Sequence, residues 1–194
     1  MEANYPRPQR CRMLRYWNYE RFSKLVLNPD INFIWETVLN LYMGDVYIIT
    51  DAFPRDFMQR IKQEAFNYGQ STASSFHKML EGTPDFHRII DLETGKKYSF
   101  RVCKHSSFFY PWNADPLDVF STVYQRWRTI KFLMGLDSTA YERNTPKDGV
   151  VDRIQIAQYP SKIGYLEPHS DPYLHQRLFF SAYMTKRGVD YEGG

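Results

Sequence analysis

An α+β fold is what the sequence predicts, on three observations. Apolar residues recur at helical spacing through much of the first two-thirds of the chain. After residue 150 the period shortens to strict alternation, as in a strand with one buried face. The hydrophobic fraction of 43%, with 17% aromatic residues, is enough for a core built largely from rings. Helices first and strands last is the order of a sheet backed by helices.

The elements follow in turn. Residues 31–43 (INFIWETVLNLYM) read as a helix that starts after Asn28, Pro29 and Asp30 and stops at Gly44. Residues 46–50 (VYIIT) form a short β-branched strand, and residues 51–54 make a turn. Residues 55–68 return to helical period, with Phe57, Ile61, Ala65 and Tyr68 on one face and Gly69 as the expected end. Residues 70–95 are rich in Ser, Thr, Gly and Pro and read as loop, followed by a strand at 98–103 (YSFRVC). Asp115, Pro116 and Asp118 carry the signature of a helix start, which predicts a helix onward to Gly135. Residues 137–149 connect to alternating residues 153–159 (RIQIAQY), and a more fully buried strand is expected at 178–185 (LFFSAYMT).

Composition narrows the function classes. A formal net charge of +3 is too small to argue for a nucleic-acid binder. One local exception is the first stretch, where Arg7, Arg10, Arg12, Arg15, Arg21 and Lys24 interleave with Tyr5, Tyr16, Trp17, Tyr19 and Phe22. Such an arm suits a phosphate backbone or an anionic lipid surface, or else a solvated segment whose rings pack on the domain. Cys11 and Cys103 are far apart and in no CxxC arrangement, so a reduced, cytoplasmic setting is expected. No apolar run reaches the roughly 18 residues of a membrane span, and no secretory signal opens the chain.

Chemistry concentrates in residues 153–194. Within them His169-Ser170-Asp171 places an imidazole and a carboxylate two residues apart, able to chelate one metal ion from the same side of a strand end. Nitrogen and oxygen donors without thiolates suit iron(II) better than a structural zinc. Alone, an HxD pattern is weak, and its surroundings give it weight.

Those surroundings resemble the iron(II)- and 2-oxoglutarate-dependent oxygenases, especially the prolyl-hydroxylase-like branch. The matching pieces are IQIAQY ending at Tyr159, a loop with Gly164, the His169-Ser170-Asp171 triplet, an apolar segment led by Gln176 and Arg177, and a Gly193-Gly194 turn. Residues 46–69 are similar to the strand and helix that often open such domains. The resemblance implies a double-stranded β-helix, or jelly roll: a single domain over residues 1–194, with 1–45 as a basic, aromatic and helical extension and 46–194 as an incomplete β-helix core. It implies His169 and Asp171 as metal ligands and catalytic residues, with a second His from a later strand, and leaves room for 2-oxoglutarate and dioxygen. Decarboxylation of the co-substrate would yield succinate, carbon dioxide and an oxidant that abstracts hydrogen from substrate. Tyr159 matches the family tyrosine that hydrogen-bonds the 2-oxoglutarate carboxylate, with a core tyrosine as the competing reading. Arg177 either orients its strand and shapes the site or makes a strand-end salt bridge, and His175 is expected on the surface.

The pattern breaks at Gly194, before the second His ligand and the basic residue that the family places later. A chain missing its C-terminal part, or an inactive relative, is the expectation that follows. For substrate, Arg88, Arg101, Lys104 and His105 lie near the aromatic run of residues 108–112 and suit a carboxylated or phosphorylated small molecule, or else are charges flanking a buried loop. His77 and His87 carry less. A small-molecule hydroxylase is the first expectation. A peptide or protein hydroxylase and a non-catalytic barrel-fold scaffold are the alternatives.

Overall fold

A computed structural model describes residues 11–96, 100–166, 180–186 and 188–190. Among the described residues, five α-helices and two small sheets make a mixed α+β arrangement. The chain divides into two compact units, residues 1–54 with 121–140, and residues 55–120 with 141–194.

In the first unit, strand β1 (Leu14–Asn18) pairs in parallel with β2 (Val46–Thr50), and helices α1 (Tyr19–Leu27) and α2 (Ile31–Tyr42) form the crossover. Both helices begin on side-chain caps. Asn18 accepts from the Glu20 and Arg21 amides, and Asp30 accepts from Asn32 and Phe33. Such a cap contributes about 1 kcal/mol. The core joins Phe22 and Val26 of α1 to Leu133, with Trp17, Phe33, Ile34, Val38, Tyr47, Ile49 and Ile130 packed around them. Trp17, Phe22 and Phe33 meet edge to face, with centroids 4.9–6.3 Å apart. Leu133 closes helix α5 (Phe120–Leu133). Within this unit Arg126 lies over the rings of Tyr19 and Phe53 and donates to the Ala52 carbonyl at 2.6 Å. Just before β2, the fully buried Asp45 carboxylate accepts from Arg12 and Arg15, each at 2.5 Å. The arginine hydrogen bonds outweigh its burial and hold Asp45 at a pKa of about 2.

The second unit is an antiparallel sheet in the order β3 (Phe86–Ile90), β4 (Phe100–Phe109), β5 (Ile154–Gln158), with helix α3 (Arg55–Ser71) against it. A short helix α4 (Leu92–Gly95) follows β3, and strand β6 (Tyr165–Leu166) pairs with β4 beyond β5. α3 covers the face that carries His105 and Phe109, where Phe66 and Tyr68 make ring contacts with them. On the opposite face Phe86 stacks on Phe108 at 4.6 Å, and Gln155 donates to Ser106 at 3.0 Å.

Several elements depart from their sequence-based bounds. α3 does not stop at Gly69 but runs to Ser71, because that glycine lets the helix backbone press on the His105 ring. α5 starts at Phe120 instead of Asp115. The Asp115 carboxylate folds back to accept from the Val119 and Phe120 amides, so it caps from a distance. Residues 180–185 carry no strand hydrogen bonding, unlike the strand expected over 178–185.

Candidate functional site

Strand β4 organises the candidate site, because β5 and β6 both run antiparallel along it, one after the other. His105 to Phe109 pair with β5, and Phe100 and Val102 pair with β6. Residues 159–164 therefore leave the ladder and return to it. Gly164 makes the return possible: its amide donates to the Pro160 carbonyl at 2.9 Å. A Cβ there would lie 2.6 Å from that oxygen and 2.6 Å from the Tyr159 Cβ. The Gly-containing loop of the sequence pattern is thus a tight closure around Tyr159 that only glycine allows.

Tyr159 sits at the end of β5, 37% exposed. Burial, then the neighbouring Cys103 and Tyr183, push its phenol well above the usual tyrosine range, so the hydroxyl stays protonated and able to donate. Cys103, fully buried, donates its thiol to the carbonyls of His105 and Gln158. Burial raises that thiol to about 11. Gln158 faces His105 across the ladder, and its buried side-chain oxygen accepts no hydrogen bond among the described residues.

His169 and Asp171, the expected metal ligands, lie outside the described residues, as do Arg177 and His175. Of the other sequence candidates, His87 and His105 are buried and bonded to one another, Nε2 to Nδ1, at 2.8 Å. Their rings are engaged inside the unit, which removes His105 from the expected surface cluster of cations. Arg88 lies over the Phe76 ring at 4.7 Å, Lys104 over Phe66 at 5.8 Å, and His77 packs edge-on against Phe86. Arg153, not singled out by sequence, sits over Phe108 at 5.3 Å on the face opposite α3. Its place at the start of an alternating strand was the available signal.

Among the described residues no group of three or more His, Cys, Asp or Glu could hold a metal ion. Cys103 is protonated and committed to two carbonyls, and His87 and His105 are committed to each other.

Comparison with protein-family models, curated proteins and solved structures finds no match for this chain. No helix among the described residues is long and apolar enough to cross a membrane.

Proposed function

We propose that this protein is an iron(II)- and 2-oxoglutarate-dependent oxygenase that hydroxylates a small molecule, its strands belonging to a double-stranded β-helix. The observation that carries the reading is the glycine-closed loop after β5. It holds a protonated tyrosine five residues before the closing Gly164, and in sequence β6 and then His169-Ser170-Asp171 follow. In this reading His169 and Asp171 hold the metal, with a third protein ligand still to be assigned. The Tyr159 hydroxyl donates to a carboxylate of 2-oxoglutarate, and Arg177 shapes the site. The bound metal and co-substrate supply oxygen activation. The chain supplies the two ligands and one hydrogen-bond donor.

A non-catalytic binding domain is the second reading. In its favour, two of the five histidines in the sequence are bonded to each other and so are not ligands. Anaerobic titration with iron(II) and 2-oxoglutarate separates the two. A visible charge-transfer band that vanishes in His169→Ala and Asp171→Ala supports the oxygenase; no band in the wild-type protein supports the binding domain.

A further inference from the structure

We infer that the buried His87–His105 pair is a proton-sensitive latch that fastens the last turn of α3 to the sheet and releases it on mild acidification.

Both rings are nearly inaccessible, at 1% and 5% exposure. The hydrogen-bond chain fixes their protons. His87 Nδ1 lies 3.0 Å from the Thr72 carbonyl, which can only accept, so that nitrogen carries a proton. In a neutral ring His87 Nε2 is then an acceptor, and His105 Nδ1 donates to it across 2.8 Å. This leaves His105 Nε2 as an acceptor, satisfied by the Gln70 amide at 3.0 Å. With both rings neutral, every ring nitrogen has the partner it needs. Gln70 and Thr72 belong to the end of α3 and the residue just past it, while His87 and His105 belong to β3 and β4. The chain therefore crosses from helix to sheet.

A second contact depends on the same ring. Gly69 packs so closely on His105 that a Cβ there would lie 2.7 Å from Nδ1. Glycine inside a helix weakens it by roughly 0.5–1 kcal/mol against alanine. The final turn of α3 is thus held by the histidine more than by its own propensity.

An added proton disturbs this arrangement in a definite way. One proton on His105 turns Nε2 into a donor, and the exposed Gln70 amide must flip to accept it. A second would set N–H against N–H between the rings. The groups around His105 do not help a charge. Lys104 is the charged neighbour on β4, His87 the titratable one on β3, Cys103 is a protonated thiol, β5 offers the neutral Gln158, and α3 offers Phe66, Gly69 and Gln70. Burial first, then His87 and Lys104, lower the His105 pKa below its usual 6.5. The open state takes up a proton more readily than the closed one. Closure is therefore fully supported above pH 6.5 and lost as pH falls through the lowered value.

Amide hydrogen exchange, corrected for intrinsic rates and followed from pH 7.5 to 5, tests the latch. Protection of residues 66–73 should fall by up to about tenfold per pH unit, the limit for one proton, while α2 keeps its protection. His105→Gln should abolish the pH dependence. If that variant does not fold, Lys104→Glu, at an exposed position, places a carboxylate beside the ring and should move opening to lower pH. Unchanged protection of residues 66–73 across the range, the same fall in His105→Gln, or an unmoved midpoint in Lys104→Glu each overturns the inference.

Discussion

Gly164 and Tyr159 are packed backbone to side chain. A single added carbon on Gly164 would meet the Tyr159 Cβ at 2.6 Å, well inside van der Waals contact. Tyrosine position and loop closure are consequently one feature, so Gly164→Ala should disturb both. Overpacking of this kind costs about 1–3 kcal/mol. A lower melting temperature together with weaker 2-oxoglutarate binding is the expected pair of results. Normal values of both would show that the loop relaxes freely.

Tyr159→Phe keeps the ring and removes the donor. Loss of one hydrogen bond to the co-substrate should weaken its affinity by about 0.5–1.5 kcal/mol, a few-fold to roughly tenfold, in a calorimetric titration. Wild-type affinity would make Tyr159 a core residue only. In the wild-type protein the raised phenol also predicts an alkaline effect. Its contribution to stability is complete below pH 10 and declines above it, because the unfolded phenol ionises first. Denaturant midpoints of wild type and Tyr159→Phe should therefore converge as pH rises past 10.

Asp45 predicts the opposite dependence. Its folded pKa of about 2 lies below the ordinary 3.8, so its ion pairs stabilise the first unit fully above pH 3.8 and fade as pH falls toward 2. Asp45→Asn should melt lower than wild type at pH 7, with the gap closing near pH 2. A gap independent of pH would assign the loss to packing rather than charge.

Phe22→Ala empties the centre of the first unit's core, where the ring meets Trp17, Phe33 and Tyr47. The expected loss is about 3–5 kcal/mol in chemical denaturation, with an altered Trp17 fluorescence in the folded baseline. A loss under 1 kcal/mol would mean that the cluster collapses to fill the space.

The elements legible in advance are those whose local signals agree with their packing. α2 and β2 fall within a residue of expectation because Asp30 caps the helix and VYIIT is β-branched throughout. β1 and α1 are not legible in the sequence, since their arginines and exposed rings obscure a period that Trp17, Phe22 and Val26 still keep on one side. β3 is hidden in the sequence because its turn-rich flanks outnumber five residues, two of them His87 and Arg88. For the candidate site, the family resemblance pointed to Tyr159 and Gly164, whereas nothing local in the sequence marks the histidine pair. Eighteen residues separate His87 from His105, and only the antiparallel register brings their rings together.

The core of the first unit joins Phe22 and Val26 to Leu133, so its last wall is made from residues far down the chain. A ribosome adding about 5–20 residues per second leaves those early rings without Leu133 for many seconds. During that interval Trp17, Phe33 and Tyr47 can pack only on the early members of the cluster, such as Phe22, Val26 and Ile34. For this protein, nascent-chain protection is needed longest at its beginning, and a break in translation before residue 133 strands the first-made unit unfinished.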